Sequence, residues 1–263
     1  MPRRVVGVVA CLGVLGVAGC AQPSPRINFA LEARLLRETT LESLPEGESS
    51  AGDAVVRVQR EGMGGCTGFL VSPTRVLTAQ HCVVGIGKKG EMTFDVLRAG
   101  QLHVELGRDY LPWGRVAVRA VRACEGWMGG VEADVAMLTL ASPVPPEVVP
   151  FDVSLATPEP GGMFDTAGYG SRSTRAVPFT RWPVQQTFRR ERWGRLLSAD
   201  ERELVFRFWS QPGDSGSPVI DRATRQVVGV LSHASDEHEM RDAKTTPSTS
   251  AASLARCSDL FAR

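Results

Sequence analysis

One stretch restricts the fold and chemistry of this chain more than any other: Gln-Pro-Gly-Asp-Ser-Gly-Ser-Pro, at residues 211–218. Glycines close to Ser215 on both sides permit a tight turn that most side chains would oppose. A turn of this kind, with a proline soon after it, is typical of a serine that presents its hydroxyl to a cleft. Taken alone, the stretch is also compatible with an ordinary Gly/Ser/Asp turn in a surface loop.

A serine hydroxyl is a weak nucleophile, so the catalytic interpretation requires a histidine base and a group that orients the base. Both candidates lie upstream: His81 within Thr-Ala-Gln-His-Cys, and Asp134 directly before an apolar run. The backbone N–H groups of Gly213 and Ser215 would hold the oxyanion that forms when a carbonyl is attacked. The sequence therefore predicts His81, Asp134 and Ser215 as catalytic residues.

These segments resemble the motifs of the chymotrypsin/trypsin family of serine proteases. The nucleophile motif differs from the family's Gly-Asp-Ser-Gly-Gly-Pro at Ser217, and the histidine motif differs from Thr-Ala-Ala-His-Cys at Gln80. The residues around Asp134 are similar to the family's Asn-Asp-Ile-Ala-Leu-Leu. The resemblance extends from Ala54 to Arg263. It implies an all-β fold of two packed six-stranded antiparallel β-barrels with a C-terminal helix, and a serine endopeptidase without cofactor or metal.

Composition suggests the domain boundaries. A stretch dense in proline, residues 141–160, separates a predicted first barrel at 54–147 from a predicted second barrel and C-terminal helix at 148–263. Within the second half, the basic run from Arg189 to Arg195 is interpreted as a solvated face, with a polyanion or lipid contact as the alternative.

The N-terminal residues have the pattern of an export signal. Arg3 and Arg4 precede a short apolar run that ends at a small-residue site, so residues 1–19 are predicted to be a signal peptide. Val-Ala-Gly-Cys at its end is similar to a bacterial lipobox, which predicts lipidation of Cys20; an ordinary secretory signal is the alternative. Residues 20–53 are then a tether with a possible short helix, since Ile27, Leu31 and Leu35 recur at helical spacing.

Export would place the cysteines in an oxidising compartment, where they form disulfides. Cys66 and Cys82 bracket the histidine motif, and a bridge between them would stabilise the fold by about 3 kcal/mol in the chain-entropy treatment. With Cys20 assigned to lipid, Cys124 and Cys257 remain as a second pair, although sequence alone leaves the connectivity open.

The predicted substrate pocket consists of Trp209, Ser210, Ser232, His233 and Ala234. In trypsin-like enzymes an Asp six residues before the nucleophile selects Arg or Lys; here that position is Trp209, and residues 208–212 contain no acid. A basic side chain would therefore lack a counter-charge, which argues against cleavage after Arg or Lys and favours small or medium apolar residues. The alternative is that His233, near the rim, favours an acidic residue, as histidines do in glutamyl endopeptidases.

Activation is expected to be unusual for the family. Trypsin-like zymogens are cut to free an apolar N-terminus, commonly Ile-Val-Gly-Gly, which pairs with the acid beside the nucleophile, but no such motif precedes the first barrel. An unpaired buried carboxylate is costly. We therefore expect Asp214 to pair with an internal group, and the enzyme to mature without a cut at a fixed Ile-Val site.

The remaining expectations concern partners and location. A balance of 30 basic and 29 acidic residues gives no reason to expect nucleic-acid binding. We expect a protein or peptide substrate, a monomeric state, and either attachment to the bacterial cell envelope through Cys20 or secretion.

One alternative function is that of a catalytically silent trypsin-fold binding protein, although the three catalytic residues and the oxyanion glycine are all present. Another is a quality-control protease with a peptide-binding module, for which the chain has no length left after the second barrel.

Overall fold

A computed structural model describes residues 41–43, 53–60, 65–88, 91–107, 114–170, 189–208, 210–234 and 248–262. These residues form mainly antiparallel strands, and their helical segments are short and of the 3₁₀ type. The strands are, in chain order, β1 (Leu41–Ser43), β2 (Val55–Arg60), β3 (Cys66–Ser72), β4 (Arg75–Thr78), β5 (Val84–Ile86), β6 (Met92–Val96), β7 (Leu102–Leu106), β8 (Gly114–Ala123), β9 (Ala136–Leu140), β10 (Met163–Gly168), β11 (Arg190–Ala199), β12 (Glu203–Phe206), β13 (Pro218–Asp221), β14 (Val227–Ala234) and β15 (Thr249–Ser253).

The first barrel closes in the order β2-β3-β4-β9-β8-β7. Its strands are rich in β-branched and aliphatic residues, and β7 alternates buried and half-buried positions as a strand with one core face should. The interior contains Val56, Val58, Phe69, Leu77 and Leu138, all without exposed surface. Burial of each such side chain contributes about 1.5–3 kcal/mol, so this core holds the barrel together.

The second barrel contains β10 to β15 and closes through pairing of β11 with both β10 and β12. In its core, Phe164 meets Phe206 edge to face with ring centroids 5.3 Å apart, and Phe206 stacks on Phe208 with centroids 5.6 Å apart. The two antiparallel six-stranded barrels confirm the predicted fold class.

Strand β1 was not expected from the sequence, which assigned residues 20–53 to a tether. It pairs with the outer edge of β11, with Leu41 opposite Arg192. The proposed helix around Ile27, Leu31 and Leu35 lies outside the described residues. No helix among the described residues is long and apolar enough to cross a membrane.

The C-terminal region differs in part from the predicted helix. Residues 249–253 form strand β15, which pairs with β12 and β14, and a 3₁₀ segment follows at Leu254–Phe261. Ser253 caps that segment by accepting a hydrogen bond from the Ala255 N–H at 3.3 Å. Thr-Ser-Ala-Ala-Ser lacks an apolar alternation of its own, so this strand depends on its two neighbours.

The structure contains both disulfides that the sequence suggested. Cys66 is bonded to Cys82, and Cys124 to Cys257. The first bridge ties strand β3 to the short helix that carries His81. Since Cys66, Cys82 and His81 lie close together, they resemble a metal cluster, but bonded sulfurs do not supply the thiolates that a metal requires.

The basic stretch that starts at Arg189 is not a solvated face, and this interpretation was wrong. Strand β11 alternates, and its inward positions include Arg190, Arg192 and the core residue Leu196. Both inward arginines are buried because polar partners lie in the interior, which the composition of the stretch does not reveal.

Candidate active site

The loop that carries Ser215 is shaped by glycine. Gly213 and Gly216 have φ values of +97° and +89°, in the region that side chains disfavour. A Cβ on Gly216 would lie 2.0 Å from the Thr67 carbonyl oxygen, so the loop also needs glycine there to approach β3. The motif thus keeps Ser215 in a turn pressed against the first barrel.

Hydrogen bonds from both barrels hold this loop. Thr67 N–H donates to the Ser215 carbonyl at 2.9 Å, and Thr67 Oγ1 donates to the Gly213 carbonyl at 2.8 Å. The N–H of Gly216 donates to the Leu231 carbonyl at 2.7 Å. Within the described residues, the N–H groups of Gly213 and Ser215 donate to no acceptor, which leaves them available to an oxyanion.

His81 lies on the 3₁₀ helix Gln80–Val83 that follows β4. Its Nδ1 is 2.7 Å from Asp134 Oδ2, and its backbone N–H donates to Asp134 Oδ1 at 2.8 Å. Asp134 has no exposed surface, whereas the His81 side chain is 18% exposed. The carboxylate therefore fixes both the ring and the backbone of a histidine that faces the cleft.

The surroundings of Asp134 keep it ionised. Burial alone would raise its pKa, but the hydrogen bond and charge of His81, a hydrogen bond from Ser232 and the His81 N–H together lower the pKa of Asp134 below its ordinary value. An ionised acid in this position stabilises a protonated His81.

Ser232 connects the acid to the nucleophile. Its Oγ donates to Asp134 Oδ2 at 2.5 Å, and its carbonyl accepts a hydrogen bond from Ser215 Oγ at 3.3 Å. No hydrogen bond joins Ser215 Oγ to His81 within the described part of the chain. Such bonds are often long or misaligned in an unliganded site and tighten when substrate binds.

His233 extends this network. Its Nδ1 lies 2.5 Å from Ser232 Oγ, and because the single Ser232 proton goes to Asp134, Nδ1 must carry the proton that it donates. The His233 ring centroid is 5.6 Å from that of His81. Part of the His233 ring is open to solvent, but burial of the rest, followed by the charge of His81, lowers the pKa of His233.

The other predicted pocket residues lie in different surroundings. Ser210 is buried beneath the loop, where Thr249 Oγ1 approaches its Oγ at 3.4 Å. Ala234 ends β14 and pairs with Thr249. Trp209, the predicted pocket floor, lies outside the described residues.

The internal partner expected for Asp214 is Arg192, which sequence reasoning had assigned to a solvated face. Arg192 Nη1 lies 2.6 Å from Asp214 Oδ2, and both side chains are essentially without exposed surface. In the sequence, the alternation of residue types along β11 around Leu196 was the one signal that Arg192 faces the interior.

Comparisons with known proteins agree with this architecture. The family model described as Trypsin matches residues 45–253. A glutamyl endopeptidase of Bacillus licheniformis is 26% identical over 178 residues, which cover 66% of this chain and 50% of that protein. The chain therefore spans about half the length of that relative.

Two solved structures share the fold. A Glu endopeptidase in complex with MPD superposes with a TM-score of 0.65 at 17% identity, over 84% of this chain and 94% of that chain. The Vibrio cholerae VesB protease superposes with a TM-score of 0.59 at 17% identity, over 84% of this chain and 65% of that chain. With most of its length matched by the family model, this chain belongs to the trypsin family.

Proposed function

We propose that the protein is a serine endopeptidase that hydrolyses peptide bonds through an acyl-enzyme. The observation that carries the proposal is that Asp134 binds both the ring and the backbone N–H of His81. Beside it, the N–H groups of Gly213 and Ser215 donate to no acceptor among the described residues. A barrel that only bound ligands would have no need for a buried, ionised carboxylate behind a histidine in the cleft.

In the proposed mechanism, Ser215 Oγ attacks the scissile carbonyl while His81 takes its proton. The N–H groups of Gly213 and Ser215 receive the resulting oxyanion. His81 then gives its proton to the leaving amine, and Asp134 stabilises the imidazolium in between. Water repeats the attack on the acyl-enzyme, with His81 as base, and frees Ser215.

Turnover of a diverse peptide library tests this function. We expect the wild-type protein to release new N-termini, and Ser215→Ala to lose turnover on the order of 10³-fold or more while keeping its fold. The competing function is a catalytically silent binding protein, which would cleave nothing and would treat both proteins alike.

The proposed primary pocket consists of Trp209, Ser210, Ser232, His233 and Ala234, and it does not favour Arg or Lys. Support comes from residues 208–212, which offer no acid to a basic side chain. Small or medium apolar residues before the scissile bond are the first candidates.

Cleavage after acidic residues is the second candidate, favoured by the position of His233 5.6 Å from His81 and by the activity named for the Bacillus relative. A neutral His233 donates from Nδ1 to Ser232 and has only a lone pair at Nε2. It would attract a carboxylate only when protonated. Any preference for acidic residues should therefore strengthen as the pH falls.

For maturation, we propose that residues 1–19 are removed and that lipidated Cys20 attaches an exported monomer to the envelope membrane. Residues 20–53 then form the tether, 54–147 the first barrel unit and 148–263 the second. Support is confined to the sequence pattern before Cys20. Incorporation of a palmitate analogue into the wild-type protein, and its loss in Cys20→Ala, would test the anchor.

A further inference from the structure

Exposed apolar side chains are concentrated at one place on the surface, beside the helix that carries His81. Among the described residues, nine large apolar side chains are exposed, and five of them lie on the β5–β6 hairpin and the nearby 127–130 loop: Ile86, Met92, Phe94, Val96 and Met128. These five residues form the hairpin surface. Single exposed apolar residues are normal, but a cluster of them is typical of a binding site.

We propose that the hairpin surface is an exosite, a second binding surface that holds apolar side chains of a polypeptide substrate several residues away from the scissile bond. It strengthens the binding of long substrates and leaves the chemistry at Ser215 unchanged. The inference rests on the proposed endopeptidase function and adds to it the class of substrate that is bound best, an extended chain with apolar residues remote from the cut.

The backbone of the hairpin is distorted where Phe94 is exposed. Val84 is paired with Val96 and Ile86 with Met92, so two residue steps on β5 correspond to four on β6. An irregularity of this kind redirects side chains. Phe94 has a φ of +52°, in the left-handed region that aromatic residues rarely adopt. Its side chain is still 55% exposed, so core packing alone does not account for this conformation.

The 127–130 loop supports the hairpin from the side. The Trp127 ring meets the Phe94 ring edge to face with centroids 5.3 Å apart, and a Cβ on Gly129 would lie 3.5 Å from the Phe94 ring. Trp127 is buried, and its Nε1 donates to the Gly130 carbonyl at 2.7 Å. Met128, between these contacts, is 84% exposed. The exposed side chains therefore stand on a fixed base, which lowers the entropy lost when a ligand binds.

The hairpin surface lies close to the catalytic residues but outside their immediate surroundings. Strand β5 follows the His81 helix directly, and residues 82–84 are fully buried between His81 and the exposed Ile86. Five residue steps separate His81 from Ile86, a distance of at most about 18 Å. On the other side, Met128 is six residues before Asp134. An extended substrate would cover the distance from His81 in about five or six residues.

The residue types of the hairpin surface suit varied apolar side chains. Met92 and Met128 are unbranched and polarizable, so they adapt to partners of different shape. Aromatic residues and methionine are also enriched where proteins bind one another. We therefore expect the exosite to select apolar character rather than one particular residue.

A membrane fits this surface less well than a polypeptide does. The charged residues of the hairpin balance each other, since Lys88 and Lys89 are matched by Glu91 and Asp95. The hairpin therefore has no excess of cations to attract anionic headgroups. The chain that leads from Cys20 arrives through β1 on the second barrel, whereas the hairpin adjoins the first.

The test uses peptides of two lengths with one scissile sequence, about six and about sixteen residues. The long peptide has leucines four to seven residues from the cut, on one side or on the other, and a matched long peptide has serines there. The variants are Met128→Ser and Phe94→Asn, since asparagine adopts the left-handed conformation more readily than other side chains. The controls remove exposed apolar residues elsewhere: Val149→Ser, at a side chain 72% exposed, and Leu197→Ser on β11.

We expect each variant to lower kcat/KM for the leucine peptide about 5- to 30-fold, as the loss of a good interface contact does. The loss should lie in KM with kcat unchanged, because contacts remote from the reacting carbonyl are equal in the ground state and the transition state. The short peptide, the serine peptide and both controls should match the wild type within about twofold.

Two results would overturn the exosite. One is leucine-peptide kinetics that do not change in Met128→Ser, whether or not Phe94→Asn folds. The other is an equal loss on the short and the long peptides, which would indicate a structural effect. If, in addition, sedimentation showed a wild-type dimer that becomes a monomer in Met128→Ser, the unchanged kinetics would assign the surface to contact between copies of this chain.

Binding separates this inference from the proposed function. Fluorescence anisotropy of the labelled leucine peptide is measured on Ser215→Ala and on Ser215→Ala with Met128→Ser, where no turnover is required. Weaker binding by the double variant would support the exosite, and equal binding would overturn it. A wild-type protein that hydrolyses no peptide would contradict the endopeptidase function, and the anisotropy would still decide the role of the hairpin surface.

Discussion

Ser232 Oγ donates a hydrogen bond to Asp134 Oδ2 at 2.5 Å, on the same oxygen that faces His81 Nδ1. The hydroxyl thereby fixes the direction of the carboxylate and lowers the pKa of Asp134. The carbonyl of the same residue accepts from Ser215 Oγ, so one residue contacts both ends of the triad.

Ser232→Ala should therefore lower kcat more than it changes KM. A hydrogen bond to a charged group is worth about 1.5–3 kcal/mol, so we expect a loss of about 10- to 100-fold in kcat. Steady-state kinetics on one peptide measures it, with exposed Ser198→Ala on β11 as the control. Equal activity of the two variants would contradict a role for this hydroxyl.

His233 should make stability depend on pH in a defined direction. Its pKa is lower in the folded protein than its ordinary value near 6.5, mainly because of burial and then because of the charge of His81. Between these two pKa values the unfolded chain binds more protons, so the free energy of unfolding falls as the pH falls below about 6.5.

His233→Gln should reduce that decline, which urea unfolding at pH 7.5 and at pH 5.5 would measure. His103, whose pKa is also lowered by burial and then by Arg115, should contribute a separate decline that His103→Gln removes. If the free energy of unfolding of the wild type fell less between pH 7.5 and pH 5.5 than that of His233→Gln, the predicted direction would be wrong.

Removal of the two disulfides should lower the free energy of unfolding by different amounts. The Cys124–Cys257 bridge spans 133 residues and the Cys66–Cys82 bridge spans 16. In the chain-entropy treatment, these loops correspond to roughly 5 and 3 kcal/mol. Paired Cys→Ala variants, compared by urea unfolding, should show the larger loss for the longer loop; the reverse order would contradict this account.

Primary specificity is tested by matched peptides that place Ala, Val, Phe, Glu or Arg before the scissile bond. We expect Arg to be cleaved slowly because no acid lies in residues 208–212. We also expect the rate for Glu, relative to Ala, to rise as the pH falls and His233 takes up a proton. Fastest cleavage after Arg would show that the pocket interpretation is wrong.

Local sequence motifs were enough to predict the overall fold and the contact between His81 and Asp134. His81 and Asp134 meet because barrel closure joins segments that each carry a recognisable pattern. The ion pair of Arg192 was not predicted because a basic run indicates an exposed surface unless its partner is known. That partner, Asp214, lies 22 residues away in the chain. Strand β15 was missed because small polar residues carry no alternation, and its neighbours β12 and β14 impose the extended form.

The most direct test of the central claim is stoichiometric labelling with a fluorophosphonate, located by peptide mass. Only a serine activated by its base and an oxyanion site reacts at an appreciable rate. The account predicts one adduct per folded molecule, on Ser215, with labelling slowed in Asp134→Asn and abolished in Ser215→Ala. Folded wild-type protein that carries no adduct at Ser215 would contradict it.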